Sequence, residues 1–513
     1  MDTLPLPPEP APLPPAPVSA HRQVLAAMDR LAELDRPELW ITLRSAEDVL
    51  VDAKAVDERV RAGEELPLAG LLVAVQDNVD VAGLPTTSGC PAYTYTPEAS
   101  AVAIGRLTKA GAVVLGKTAL EPFATGTSDA TAAVAGLGLV DVAIGADPAG
   151  AGQVSAAREG VVGLKPTLAL VPGTGVVPSV PSFDGVTVFA RTVADGQRTL
   201  EVLTGTDVWP EDVRLAAGDR PRIAVPAQVG FATVVEDLLA AGAVVESVDL
   251  TPFLEAARVF GGSVTAVERY AALGEFAGTA DLAPELREKL LAGKEIPAHR
   301  FVADRARLDG LRVRAAEVLA GFDAVLLPAL PEYTGFLNAL DLAAVTVPPG
   351  VSVVTRAFDD QVALDLAAFL AGEQIRKPYP ATGIDLVVFG AHLRGQPLNR
   401  QLTELGARFR GDVLTAERYR MVALADRQPG ILSVAEGAPL VGERWTISPA
   451  GLGRFLAGLS GPLSLGEIEL DDGSTAIGFH CEQQAAAGAV DITEFRDWRA
   501  YLRYVTATRP MTG

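Results

Sequence analysis

The sequence predicts an α/β fold in which helices cover a mixed sheet, followed by a smaller strand-rich domain. Segments with strand-like apolar character alternate with segments of helical periodicity through most of the chain. Hydrophobic residues make up 49% of the 513 residues, which is enough for a large core, and the length predicts two or three packed units. A break rich in Pro and Gly at residues 377–383 precedes the strand-rich remainder.

The elements can be justified in chain order. Residues 1–20 contain eight prolines and predict an extended, disordered tail without a secretion signal. Helical periodicity starts at His21, and four segments then predict a strand, a helix, a buried strand and a helix running into a strand: LLVAVQDNVDV, ASAVAIGRLTKAG, AVVLG and ATAAVAGLGLVDVAIG. Residues 254–319 are predicted to be mostly helical, and the strand-like AVLLPAL follows them.

These observations predict four parts of the chain. They are a tail at residues 1–20, a large domain at 21–376, a linker at 377–383 and a second domain at 384–513.

The charge of the chain argues against two classes of partner. There are 64 acidic and 43 basic residues, and the resulting net charge of −21 repels nucleic acid and anionic membrane surfaces. No apolar stretch approaches the roughly 18 residues of a spanning helix. Two distant cysteines and four scattered histidines predict no disulfide framework and no metal centre. We therefore expect a cytoplasmic protein without a metal or cofactor.

Residues 111–118, GAVVLGKT, fit the phosphate-loop pattern GxxxxGK[ST]. In a phosphate loop the four middle residues form an open turn whose amides surround the phosphates. Here they are AVVL, which favours a buried strand, and Pro122 follows the Lys-Thr pair closely. The sequence therefore predicts that this segment does not bind nucleotide.

Four co-linear segments carry a more extensive pattern: VAVQDNVDVAGLPTTSGCPAY, GAVVLGKTALEPFATG, IGADPAGAGQVSAAREGVVGLKPT and YTGFLNALDLAAVTVPPG. They resemble the amidase signature family and, within it, the allophanate hydrolases. The resemblance implies a mixed sheet covered by helices and a Ser-cisSer-Lys relay. In that relay a neutral lysine draws a proton, through a bridging serine, from a nucleophilic serine that attacks an amide carbonyl.

The positions of this relay are altered here. The lysine of the family falls on Gln76, and the nucleophile falls on Ala151. The glycine-rich stretch that carries the bridging serine is shortened, which leaves Ser128 as the nearest hydroxyl. Neither an amide nor a methyl group can take over the proton transfer or the attack. The resemblance therefore implies an amidase domain with a degenerate triad, in which Tyr333 and Arg287 fall near positions that could still contact a small polar ligand.

The second domain also resembles a known family. LVVFGAHLRGQPLNRQL, residues 386–402, is similar to the C-terminal domain of allophanate hydrolases and to the opening turn of γ-glutamylcyclotransferase-like folds. The likeness implies a small α+β barrel whose turn binds a carboxylate or amide, and His392 as general acid/base or water-orienting group. A structural, hydrogen-bonded histidine is the alternative. The binding residues expected beside it are Phe389, Gly390, Ala391, Leu393 and Asn399.

Three functions remain open on the sequence. The first is an allophanate hydrolase homologue without amidase activity, whose C-terminal domain binds or turns over a small carbamate-like or carboxylated amine. The second is a non-catalytic scaffold or regulatory subunit that pairs with an active enzyme. The third is residual amide hydrolysis at a rearranged site, in which Ser155 or Ser182 replaces the nucleophile. The family resemblance implies a homodimer.

Overall fold

The computed structural model describes residues 19–126, 130–205, 208–227, 229–373, 383–424, 428–459 and 461–508. Most of the predicted tail and linker, and Ser128, lie outside these residues. The helices are α1 (Ala20–Leu34), α2 (Ala46–Arg61), α3 (Val102–Lys109), α4 (Ala130–Gly136), α5 (Ala151–Glu159), α6 (Val193–Leu203), α7 (Ala232–Ala240), α8 (Thr251–Val259), α9 (Thr265–Thr279), α10 (Pro284–Leu291), α11 (Ala298–Leu319), α12 (Pro331–Thr334), α13 (Asp360–Leu370), α14 (Arg400–Thr403), α15 (Pro449–Ala457), α16 (Gln483–Ala486) and α17 (Trp498–Thr508).

The strands follow the same chain order. They are β1 (Trp40–Leu43), β2 (Leu72–Gln76), β3 (Val113–Thr118), β4 (Val142–Asp147), β5 (Val162–Lys165), β6 (Gly185–Ala190), β7 (Arg222–Pro226), β8 (Val244–Val248), β9 (Ala324–Pro328), β10 (Ala343–Val347), β11 (Val351–Thr355), β12 (Ile384–Val388), β13 (Arg408–Leu414), β14 (Tyr419–Ala423), β15 (Pro429–Ser433), β16 (Val441–Ile447), β17 (Leu463–Glu469), β18 (Thr475–Cys481) and β19 (Val490–Asp491).

A mixed sheet forms the centre of the larger part of the molecule. Within the described residues it has eleven strands in the order β1-β3-β2-β4-β6-β5-β10-β11-β9-β7-β8. Strand β2 runs parallel to β3 and β4, whereas β4 and β6 are antiparallel. The predicted mixed sheet with covering helices is therefore confirmed, as are the strand and helix segments between residues 71 and 147.

The sheet is buried on both faces, as its apolar strands predict. Val73 and Val75 of β2 belong to one apolar core, whereas Leu72 and Ala74 of the same strand belong to another. Alternate side chains of a strand point to opposite faces, so helices must cover both sides of the sheet. This double burial fixes the carboxyl ends of β2 and β4, where the candidate site lies.

The chain after residue 383 is rich in strands, as predicted. Strands β13, β16, β12, β18 and β17 form one sheet in that order, and β15, β14 and β19 form a smaller one, both counted over the described residues. Their shared core includes Val387, Trp445 and Phe479. The likeness to a γ-glutamylcyclotransferase barrel stays a prediction.

The segment that fits the phosphate-loop pattern is a strand, as its apolar residues predict. Lys117 lies in β3 with its side chain fully buried, and its Nζ is 3.1 Å from Oδ1 of Asp77 and 3.1 Å from Oγ1 of Thr86. Burial lowers the pKa of Lys117, and the charge of Asp77 opposes that change. The lysine is thus part of the core and does not face a phosphate site.

No helix among the described residues has the length and apolar character needed to cross a bilayer.

The pair formed by Lys117 and Asp77 predicts a stability effect. Lys117→Met leaves the buried Asp77 carboxylate without its cation, and we expect the free energy of unfolding to fall by about 3–5 kcal/mol. Thermal unfolding followed by circular dichroism measures the change. Lys109→Met, at the exposed end of α3, is the matched control and should leave the midpoint unchanged. Equal midpoints for the two variants would contradict the prediction.

Candidate functional site

A cavity of about 240 Å³ lies where α5 begins, at the carboxyl end of β4. Clefts at the carboxyl ends of strands are the usual place for ligand sites in α/β sheets. Its wall comes from five parts of the chain: the turn at residues 124–126, the start of α5 with the turn before it, the segment before β6, helix α9 and helix α12. The lining residues are Ala124, Thr125, Gly126, Pro148, Ala149, Ala151, Val154, Val180, Thr265, Arg269, Pro331 and Thr334.

Asp147 holds the turn that precedes α5. Its carboxylate accepts hydrogen bonds from the backbone amides of Ala149, Ala151 and Gly152 at 3.1, 2.9 and 2.9 Å. Burial raises the pKa of Asp147, and these amide donors oppose that increase. Gly150 is required between them because its φ is +78° and a Cβ there would collide with the carbonyl oxygen of Thr334. The turn is therefore fixed before any ligand arrives.

Gln76 lies at the carboxyl end of β2, and Ala151 lies directly after the turn that precedes α5. Gln76 is the last residue of β2, is buried, and accepts a hydrogen bond at Oε1 from the amide of Ala146 at 2.9 Å. Ala151 is the first residue of α5 and lines the cavity with a methyl group. Neither side chain can act as a base or a nucleophile. Ser128, the third position predicted from the resemblance, lies outside the described residues, and Gly126, two positions before it, lines the cavity.

Arg269 is the functional candidate that the sequence did not reveal. It lies in α9 and lines the cavity, and its buried Nε has no hydrogen-bond partner among the described residues. Burial lowers the pKa of the guanidinium, and the charge of Asp184 opposes that change. An arginine with an unused donor beside a small cavity can bind an anion such as a carboxylate. The signal in the sequence was weak: a Glu-Arg pair within an otherwise mostly apolar helix.

Two acidic residues, Glu268 and Asp184, lie near Arg269. Glu268 is buried, accepts the amide of Ser182 at 2.8 Å and pairs with Arg305 at 2.9 Å. Asp184 accepts the amides of residues 179 and 180, and burial, with a contribution from Glu268, raises its pKa to about 6. Glu268 is thus already bound by Arg305, which leaves Asp184 as the charge that faces Arg269.

Tyr333 and Arg287, the two residues predicted to lie near a ligand, contact other parts of the protein. Tyr333 lies in α12 between the lining residues Pro331 and Thr334. Its ring packs against the apolar core on one face of the sheet. Arg287 donates to the carbonyl oxygens of Ala277 and Ala280 and so closes the turn after α9. A ligand role of Tyr333 stays a prediction.

His392 lies at a short 3₁₀ turn, Gly390–His392, directly after β12. Its ring is stacked on Phe479 with centroids 5.2 Å apart and meets the edge of Phe455 at 5.2 Å. Nε2 is 3.0 Å from Oε1 of Gln401, and burial lowers the pKa of the imidazole. The ring is therefore held in one orientation and kept neutral at physiological pH.

The other residues expected around His392 divide into two groups. Phe389 and Leu393 are buried in the domain core, and a Cβ on Gly390 would collide with Pro429. Ala391 and Asn399 brace the loop, since the Ala391 carbonyl accepts the amide of Leu398 and Asn399 Nδ2 donates to the His392 carbonyl at 2.8 Å. The structure thus brings these residues together as the support of the His392 turn.

Comparison with known families agrees with this architecture. The model described as "Amidase" matches residues 22–131 and 126–381, which is more than half of the chain. The chain belongs to the amidase family. The model described as "Allophanate hydrolase C-terminal domain" matches residues 384–503.

This amidase-family chain is similar in structure and sequence to yeast enzymes. The Kluyveromyces lactis allophanate hydrolase structure has a TM-score of 0.83 and 27% identity, over 95% of this chain and 97% of that one. The K. lactis urea amidolyase structure has a TM-score of 0.85 and 27% identity, over 95% of this chain and 36% of that one. The urea amidolyase of Lachancea kluyveri is 27% identical over 95% of this chain. The chain spans about a third of that relative's length.

The environment of Asp184 predicts a pH dependence of stability. The folded pKa of about 6 lies above the ordinary value of 3.8, so the folded state retains a proton that the unfolded state releases. Stability is therefore lost as the pH rises through 3.8, and the loss is complete above about 6. We expect Asp184→Asn to gain up to about 3 kcal/mol relative to the native protein between pH 4 and pH 7.

Melting temperatures measured across this pH range in dilute solution test the sign. Asp281→Asn, at an exposed position, is the control and should run parallel to the native protein. A constant difference between Asp184→Asn and the native protein across the range would show that Asp184 does not titrate there.

Proposed function

We propose that the amidase half of this chain binds a small carboxylated ligand and has lost amide hydrolysis. The observation that carries the proposal is Ala151, whose methyl group occupies the wall of the cavity at the first position of α5. A preorganised turn without a nucleophile can bind a carbonyl compound but cannot form an acyl intermediate. The hydrogen bond of Gln76 to Ala146 adds support, because it uses this side chain to join β2 to β4.

The charge of the cavity supports a carboxylate as the ligand. Arg269 contributes a half-buried guanidinium whose buried Nε is an unused donor, and hydrogen bonds between charged partners are about twice as strong as neutral ones. The volume of about 240 Å³ suits a molecule of a few heavy atoms. A small carboxylate bearing an amide or amine group, as in the carbamate-like compounds considered above, fits both requirements.

A second function, proposed for the C-terminal domain, is turnover of a carboxylated amine by His392. The support is the neutral, oriented imidazole, since a general base must be deprotonated and held in place. We propose a γ-glutamylcyclotransferase-like fold for this domain. We propose that it starts at residue 384, after the linker at residues 377–383; the ends of the two family matches, at residues 381 and 384, support this boundary.

The remaining alternatives are a scaffold that pairs with an active enzyme and a rearranged amidase site. Ser155 is buried within α5 and Ser182 is exposed, and neither is among the residues that line the cavity. A cytoplasmic homodimer is part of the same proposal.

The loss of amide hydrolysis is tested with allophanate. We expect purified protein to release no ammonia above background, while the K. lactis allophanate hydrolase, assayed in parallel, serves as the positive control. Ammonia release that is abolished by Ser155→Ala or Ser182→Ala would replace the proposal with a rearranged site.

The same samples test the C-terminal domain with chemically generated carbamate or N-carboxycarbamate. Faster release of CO₂ that disappears in His392→Ala would support turnover there. Persistence of the activity in that variant would remove His392 from the reaction. Absence of any turnover would favour the scaffold.

Ligand binding in the cavity is tested separately with oxamate, a stable compound that carries a carboxylate beside an amide. We expect Arg269→Met to weaken oxamate binding by about tenfold or more, because it removes a charged hydrogen-bond donor. Arg300→Met, on the exposed side of α11, is the matched control and should bind normally. Isothermal titration calorimetry with oxamate and with neutral acetamide distinguishes charge recognition from general binding; equal affinities for both compounds would contradict the proposal.

A further inference from the structure

A second cavity, of about 970 Å³, lies between the amidase part and the C-terminal domain. We name it the interdomain cleft. Six arginines line it: Arg214, Arg220, Arg222, Arg356, Arg400 and Arg454. The lining carboxylates are Asp219, Asp323 and Glu404, so arginines outnumber them by two to one. The excess of basic over acidic residues in the cleft is the reverse of the whole chain, which contains 64 acidic and 43 basic residues.

Some of these arginines are held in place by ion pairs. Arg214 contacts Asp323 at 2.6 Å and Asp359 at 3.8 Å, and Arg356 contacts the same Asp359 at 2.7 Å. Arg222 pairs with Glu246 at 2.7 Å, and its guanidinium lies 5.4 Å from the centre of the Phe322 ring. Guanidinium groups fixed in this way lose little entropy when a ligand binds.

Among the described residues, the other three arginines of the cleft form a weak ion pair or none. Arg220 and Arg400 form no ion pair with any residue in the described ranges, and they come from different parts of the chain, Arg220 just before β7 and Arg400 at the start of α14. Arg454 is 3.5 Å from Asp212, and both side chains are more than half exposed, so the pair contributes little. The cleft thus offers guanidinium donors from both domains to one ligand.

Two acidic residues of the cleft, Asp219 and Glu404, restrict which functional groups the ligand can carry. Arginine binds phosphate oxygens in a bidentate manner, whereas Asp219 and Glu404 accept hydrogen bonds and would repel a second anionic group. Hydroxyl groups are the natural donors to such carboxylates. The volume exceeds that of an inorganic anion several-fold and suits a ligand of nucleotide size.

We propose that the interdomain cleft binds a phosphate ester that carries hydroxyl groups, with its phosphate on the arginines and its hydroxyls on Asp219 and Glu404. Nucleotides and sugar phosphates share this chemistry. The ligand would contact residues 395–400, and Asn399 in that segment also donates to the carbonyl oxygen of His392. Binding would therefore also brace the turn that carries His392.

Calorimetry at constant ionic strength tests the proposal on the full chain, with AMP, ATP, ribose 5-phosphate, tripolyphosphate and sulfate as probes. We expect one of the esters to bind and both Arg220→Met and Arg400→Met to weaken it by about tenfold. Arg300→Met, outside the cleft, should leave the affinity unchanged. Preference for AMP and ATP over ribose 5-phosphate identifies a nucleotide site, and the reverse identifies a sugar phosphate site.

Asp219→Asn separates specific recognition from charge attraction. If the ester's hydroxyls bind Asp219, this variant should reduce the preference for the ester over tripolyphosphate. Equal binding of sulfate, tripolyphosphate and the esters would overturn the proposal, because only charge would then be recognised. Failure of all probes to bind, or affinity unchanged in both arginine variants, would overturn it as well.

Discussion

The carboxylate of Asp147 determines the shape of the amidase cavity. It fills the amino end of α5, where unpaired amides and the helix dipole favour a negative charge. The backbone carbonyl oxygen of Asp147 accepts a hydrogen bond from the side-chain amide of Asn338. The same amide also donates to the carbonyl oxygen of Phe183. One residue thus connects β4, α5, the segment before β6 and the segment after α12. The cavity wall depends on this connection, because Gly150 and Ala151 lie between its anchor points.

The shape of the turn does not depend on the side chain of residue 151. The turn is held by backbone amides and by Asp147, none of which requires a nucleophile at Ala151. Gln76 places a neutral group at the end of a buried strand, and its side-chain oxygen accepts a hydrogen bond from the amide of Ala146. A buried ionisable group without a partner would cost stability, whereas this amide at Gln76 adds a link between two strands. Gln76 and Ala151 are therefore compatible with a well-packed core.

The sequence was sufficient for the parts of the structure that depend on local pattern. Apolar runs such as residues 113–118 identified buried strands, including the one that mimics a phosphate loop, and the alternation of elements identified the mixed sheet. Arg269 could not be found in this way, because only the packing of α9 against the turn at residues 124–126 makes it a cavity residue. The interdomain cleft could not be predicted from the sequence either, because Arg220 and Arg400, which both line it, are 180 positions apart. Co-linear motifs identify the family and the local elements, whereas the residues that meet in a cavity from distant parts of the chain are known only from the tertiary structure.

The junction of the two domains determines how the two cavities relate. Arg408 of β13 donates to the carbonyl oxygen of Leu215 and pairs with Asp365 of α13, which in turn accepts the amide of Ala217. The segment around residues 214–220 therefore supports the junction and also supplies Arg214 and Arg220 to the cleft. A ligand in the cleft would act directly on this junction, because it would contact both of the parts that Arg408 joins. The cavity beside Arg269 is lined entirely by residues before 335, so a ligand bound there contacts no residue of the C-terminal domain.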